Sequence, residues 1–192
     1  MSVKKKLLIN TAMNMFYKHG IHAVGINEVL KESGVAKKTL YHHFKSKDQL
    51  IVATLIQRDK NFIEWFDNSL MEVTPGKAAL LHAFTALDSW FKSETESMGE
   101  YRGCFFVNAS AEFNGKNSEI SAQCRKHKLQ VRELIYLHVK IICHSTSNAN
   151  ELTDAICVIK EGCINTALVQ QDLNIAKKML PVINKLLLAY GV

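Results

Sequence analysis

The sequence predicts an all-α chain in which a small three-helix front is followed by a larger helical body. Three observations carry this. Apolar residues recur at helical spacing along nearly all of the 192 residues, no run of alternating strand residues interrupts them, and positive charge is gathered at one end. Through residue 60 there are eleven Lys or Arg against four Asp or Glu, a net of +7, so the total of +6 leaves −1 for the remainder. A basic segment on a near-neutral body points to a polyanionic partner, either nucleic acid or an anionic membrane surface.

Composition narrows the class further. The five cysteines, at 104, 124, 143, 157 and 163, form an odd set without a C-x-x-C pair, which argues for reduced thiols in a cytoplasmic protein. The opening MSVKKKLLINTAMNMF places basic residues before apolar ones as a signal peptide would. Asn10, Thr11 and Asn14 interrupt the apolar positions, so the stretch reads as an ordinary helix. No eighteen apolar residues run together, and no membrane span is expected.

In order along the chain, Leu8, Ala12, Met15, Phe16 and His19 recur at helical spacing, and Gly20 follows where a left-handed helix end belongs. A short helix from Ile26 to Ser33 turns Ile26, Val29 and Leu30 inward and stops at Gly34, with Gly25 as its N-cap. A third helix covers 37 to 43 or 44. Ser46 caps a long fourth, with Gln49 three residues on approximating a capping box. VTPGK at 73–77 breaks the chain before a helix carrying Leu80, Leu81, Phe84, Leu87, Trp90 and Phe91. SMGEYRG is expected as a loop, CFFVNASAEF as a helix and 118–143 as a long amphipathic helix. HSTSNAN at 144–150 reads as a polar loop, and two closing helices cover about 151–170 and 174–190, the second with Pro181 as a potential kink.

The third helix is the most telling. Leu40 and Phe44, four apart, share one face and are core; Lys37, Lys38, Thr39, Tyr41, His42 and His43 occupy the rest of the circumference. Helices two and three with their tight glycine link make a helix-turn-helix, whose second member enters the major groove of DNA. Lysines and a tyrosine hydroxyl suit phosphate oxygens, while threonine and histidine reach base edges or phosphates. Lys47 stands at the next helix N-terminus, where ammonium and backbone amides together hold a phosphate. His42 and His43 are adjacent and diverge by about 100°, a poor metal pair. Neither a metal nor a cofactor is expected.

The segment INEVLKESGVAKKTLYHHFKSKDQL, with Ala12, Phe16 and Gly20 ahead of it, resembles the DNA-binding signature of TetR/AcrR-type transcriptional regulators over roughly residues 5–55, and RGCFFVN at 102–108 resembles a stretch found in many members. The resemblance implies a DNA-binding domain at 1–47 and a helical ligand-binding and dimerisation domain at 48–192, with helix 48–70 connecting them. It places Tyr41, His43 and Lys47 on the DNA backbone, and Lys37, Lys38, Thr39 and His42 on bases or nearby phosphates. One departure is that Val24 and Gly25 stand where members usually have Thr or Ser, so no hydroxyl is offered to phosphate there and the Gly25 N–H remains.

For the body, the resemblance implies a small-molecule effector and a homodimer. AICVIKEGCINTALV at 155–169 is strongly apolar and carries Gly162 and Ala167, which suits pairing through about 151–190. Trp65, Trp90, Phe105, Phe106, Asn108 and Phe113 are the candidate effector contacts, and Ser110 and Glu112 are further polar residues in the same apolar helix. Cys104 begins that helix after Arg102, a setting that lowers a thiol pKa and opens a redox-sensing alternative. The other rival is a basic module docking on anionic membrane or a protein partner. No catalytic motif such as G-x-S-x-G, a phosphate-binding glycine loop or H-E-x-x-H is present, so no enzyme is expected.

Overall fold

Ser2 starts the first helix, α1 (Val3–His19), by accepting the Lys5 amide at 3.2 Å. Leu8, Ile9, Ala12, Met13 and Phe16 fall on one stripe of that helix and are buried. The computed structural model describes residues 2–113 and 118–190, which form nine α-helices and one 3₁₀ turn, with no strand among the described residues. The others are α2 (Ile26–Ser33), α3 (Lys37–His43), α4 (Lys47–Met71), α5 (Lys77–Phe91), α6 (Phe105–Glu112), α7 (Glu119–Ile142), α8 (Thr146–Val169) and α9 (Ile175–Ala189). The predicted all-α class and the order of elements both hold.

The chain divides into two units. The first comprises Met1–Lys60 and Cys104–His127, the second Asn61–Gly103 and Lys128–Val192. In the first unit α1, α2 and α3 pack on one another. Leu8, Phe16, Val29, Leu40, Phe44, Leu50 and Ile51 are among its buried side chains. The α2–α3 turn is made by Gly34 in the left-handed region (φ 64°, ψ 13°), a conformation that a Cβ disfavours. Gly20 ends α1 differently from expectation. Its φ of 88° is positive but its ψ is 150°, so the chain leaves extended and its N–H bonds the Phe16 carbonyl at 2.9 Å.

In the second unit α5 packs against α9 and α8, and α8 against α9. Phe62, Trp65, Phe66, Trp90, Phe91 and Tyr101 form an aromatic cluster; the Trp65 and Trp90 rings are 5.7 Å apart and Trp90 meets Tyr101 edge-on at 5.0 Å. The Tyr101 hydroxyl donates to the Ile164 carbonyl at 2.5 Å. Beside it, a Cβ on Gly103 would stand 2.6 Å from Leu168 Cδ2, so the glycine of RGCFF is required by close approach to α8.

Three local expectations change. The polar stretch 144–150 is mostly helix, because α8 begins at Thr146 under a Ser145 cap, and Ala149 and Leu152, buried in register with Ile156, draw its first turn inward. The loop at 97–103 overlaps a 3₁₀ turn, Glu96–Met98, that buries Met98. Pro181 does not interrupt α9; it sits on the exposed side of a helix continuous from Ile175 to Ala189.

Candidate nucleic-acid interface

Burial sorts the seven residues of α3 as their spacing demands. Leu40 is fully buried and Phe44, just beyond the helix, is 3 % exposed. Lys37, Lys38, Tyr41 and His42 are exposed, and Thr39 and His43 half-buried. A helix this short is marginal by itself, so its place is set by these two anchors and by the left-handed turn before it. The result is a rigidly seated helix whose outward groups are donors and cations. None of the α3 residues is acidic, and among the described residues neither Lys37 nor Lys38 is in an ion pair.

Lys47 opens α4, but its ammonium also looks inward. Nζ donates to the Ile21 carbonyl at 2.6 Å and lies 5.9 Å from the Phe16 ring centroid. Ahead of it, the Gln49 amide donates to Ser46 Oγ at 3.2 Å, and the Gln49 side chain accepts from Lys45 rather than from Ser46, at 2.8 Å, so the expected capping box is offset by one residue. The Gly25 N–H is engaged by Glu28 Oε2 at 2.6 Å, which caps α2 without a hydroxyl.

Sequence spacing gives no sign of how the α1–α2 turn is held. Glu112, at the end of α6, accepts from the Ile21 amide at 2.8 Å and from the His22 amide at 2.5 Å. His22 Nε2 lies 3.0 Å from the Glu112 carbonyl oxygen, and its ring stacks on Phe113 at 4.5 Å. The only hint in the sequence is a single carboxylate on a helix with no other charged residue. Nor does spacing reveal the buried pair Asp59 and His127, joined at 2.8 Å, with Gln123 donating to Asp59 at 3.3 Å and the imidazole stacked on Phe106 at 3.6 Å.

The candidate effector residues fall in both units. Trp65 and Trp90 belong to the aromatic cluster of the second, where a hollow of about 360 Å³ is lined by Asn61, Glu64, Trp65, Asn68 and Ser97. In the first, Phe105 and Phe106 are buried core, Asn108 is half-buried and Phe113 is taken up by His22. Cys104 is buried as the N-cap residue of α6. Burial raises the thiols of Cys143 and Cys157 and pushes Cys163 up to about 11, away from the reactive thiolate. Among the described residues no group of three or more His, Cys, Asp or Glu is arranged to hold a metal ion, and no helix is long and apolar enough to cross a membrane.

Residues 8–54 match the family model of "Bacterial regulatory proteins, tetR family". The transcriptional activator FasR of Mycolicibacterium smegmatis is 29 % identical over 89 residues, 46 % of this chain and 41 % of that protein. The transcriptional repressor KstR2 of the same organism is 28 % identical over 80 residues, 42 % of this chain and 37 % of that one. The matches thus span well under half the length of either relative. In three dimensions, a TetR-family transcriptional regulator from Streptomyces coelicolor superposes with a TM-score of 0.87 at 21 % identity, covering 100 % of this chain and 91 % of the other, a likeness of fold. The helix-turn-helix segment thus matches the tetR family of bacterial regulatory proteins over residues 8–54, and the whole course of the chain shares the fold of a TetR-family regulator.

Proposed function

We propose that this protein is a homodimeric repressor that binds an inverted-repeat operator and releases it when a small molecule binds, acting in the cytoplasm and performing no catalysis. The observation that carries the reading is the seating of α3: Leu40 and Phe44 hold it, and Lys37, Lys38, Tyr41 and His42 face outward. In this reading Lys37, Lys38, Thr39 and His42 meet bases or adjacent phosphates, Tyr41, His43 and Lys47 meet the backbone, and Gly25 marks the start of α2 against it. The front at 1–47 is then the DNA-binding domain and 48–192 the effector and dimer domain.

The dimer reading draws on α8. Ala155, Val158, Gly162, Asn165 and Val169 recur at three- and four-residue spacing; Val158 is 71 % and Val169 78 % exposed, and a Cβ on Gly162 would meet nothing within 4 Å. Apolar side chains left this open on a terminal helix suit a twofold partner, with Val182 and Leu188 of α9 extending the same reading across 151–190. Two α3 helices then sit about 34–36 Å apart, one DNA turn. For the effector, the hollow beside Trp65 offers a carboxylate, two carboxamides and an aromatic face, so a small polar or cationic ligand fits it best. Such a ligand acts only through unequal affinity for the two dimer spacings. Redox sensing through Cys104 and docking on a membrane have no support comparable to the matched helix-turn-helix.

The test is selection of bound sequences from random duplex DNA, followed by affinity against salt for the enriched sequence. The expected result is an inverted repeat whose affinity falls steeply with salt and drops at least about tenfold in Tyr41→Ala, which removes one phosphate-binding hydroxyl from each protomer. Uniform weak binding with no enriched sequence overturns the reading.

A further inference from the structure

The first turn of α1 carries Lys4, Lys5 and Lys6, a block of positive charge with no acidic residue in the same turn. Three facts locate it. Ser2 Oγ, its capping atom, is 3.2 Å from His43 Nε2, so this turn abuts the last turn of α3. The Lys5 ammonium lies 5.5 Å from the ring centroid of Phe44, the residue that ends α3. Lys4 and Lys6 are exposed, α1 contains no acidic residue, and among the described residues none of the three lysines is in an ion pair.

For the isolated protein this arrangement is unfavourable. A helix start carries partial positive charge and favours Asp or Glu, whereas here three ammonium groups add to that field and to the positive potential around one another. A polyanion held against the turn reverses both terms. The position says which polyanion. An α-helix of about 10–12 Å diameter fills a major groove about 12 Å wide, so the elements flanking it stand against the phosphates of the groove walls. Building on the reading of α3 as the groove-bound helix, we infer that the first turn of α1 is a second phosphate-binding element, in which Lys4, Lys5 and Lys6 grip the sugar–phosphate backbone beside each half-site.

The test uses the full chain and the enriched operator duplex in two lengths, one cut at the half-site edges and one extended by about six base pairs on each side. Lys4→Gln/Lys5→Gln/Lys6→Gln is compared with the triple arginine variant and with Tyr41→Ala, and circular dichroism confirms that each is folded. Every phosphate that is no longer neutralised takes about 0.9 from the log–log salt slope, and a dimer doubles the effect. The glutamine variant is therefore expected to lose about 2 to 5 from the slope, the arginine variant to keep it, and the wild type to bind the cut duplex more weakly. If the glutamine slope equals that of wild type while Tyr41→Ala loses binding, the DNA reading stands and this inference falls. If the wild type enriches no sequence, both fall, and vesicles containing anionic lipid that bind wild type but not the glutamine variant would reassign the patch to a membrane.

Discussion

Glu112→Ala removes one side chain and two backbone hydrogen bonds 90 and 91 residues away in sequence. The two bonds are unequal in consequence. Ile21 is 1 % exposed, so its amide, once abandoned, has little water to turn to, whereas His22 is exposed and its amide regains a partner. A hydrogen bond to a charged group contributes about 1.5–3 kcal/mol and an orphaned buried donor costs about 1–3 kcal/mol; counting the Ile21 bond in full and the His22 bond little gives about 2–4 kcal/mol. For a chain of this size that lowers Tm by about 5–15 °C. The assay is denaturant unfolding of Glu112→Ala, Glu112→Gln and the control Ser110→Ala, an exposed residue on the same helix, with amide exchange followed at Ile21 and His22. Glutamine keeps an accepting oxygen but sets its NH₂ against the second donor, so an intermediate loss is expected. A change below about 0.5 kcal/mol in Glu112→Ala, with the Ile21 amide still protected, would refute the assignment of Glu112 as the clamp on the α1–α2 turn.

Other consequences are equally direct. His127→Ala strips Asp59 of its imidazole partner and Phe106 of its stacked ring, and should cost about 3–5 kcal/mol, whereas Asp59→Leu with His127→Leu should recover much of it; equal loss in the double variant would show that packing, not an abandoned charge, dominates. Burial pushes Glu161 up, but the Lys160 and Lys128 ammonium groups outweigh it and hold the carboxyl at about 2, against an ordinary 4.5. The folded pKa is depressed, so this stabilisation is complete above about pH 4.5 and is lost as pH falls towards 2, at most about 3 kcal/mol; stability of Glu161→Gln should therefore fall less over that window, and parallel curves would exclude the linkage. Gly162→Leu should abolish the proposed dimerisation in analytical ultracentrifugation without lowering the Tm of the protomer, since a Cβ there meets nothing within 4 Å and leucine is the better helix former; self-association of unchanged affinity would move the interface elsewhere.

What is legible in the sequence follows from how local each determinant is. Leu40 and Phe44 declare their face because helical period and burial are matched within five residues, and Gly34 declares the turn because only backbone conformation is asked of it. The start of α8 misleads for a related reason: Ser145, Thr146, Ser147 and Asn148 favour loops locally, but Ala149 and Leu152 are buried, and packing prevails over propensity. The grip of Glu112 on Ile21 and of Asp59 on His127 spans 91 and 68 residues and leaves no periodic trace. The candidate effector residues are the hardest to place. A buried Phe105 and a ligand-facing one present the same spacing, and only the structure shows the former in the core and Trp65 beside a hollow.

Lys47 shows how the clamp and the proposed interface meet in one peptide unit. Its ammonium donates to the Ile21 carbonyl at 2.6 Å, and the N–H on the other side of that same peptide bond, the His22 amide, donates to Glu112 at 2.5 Å. A cation at the oxygen and an anion at the hydrogen polarise the peptide in the same sense, so each bond strengthens the other. Lys47 has three N–H donors and gives one here, which leaves two for a phosphate. Immobilising a lysine costs up to about 2 kcal/mol of rotamer entropy, and at Lys47 the fold has already met much of that cost before DNA arrives. Lys4 and Lys6, exposed and unanchored, meet it on binding. In the proposed complex Lys47 therefore contributes more affinity per phosphate held, and the first turn of α1 contributes chiefly long-range attraction and salt dependence.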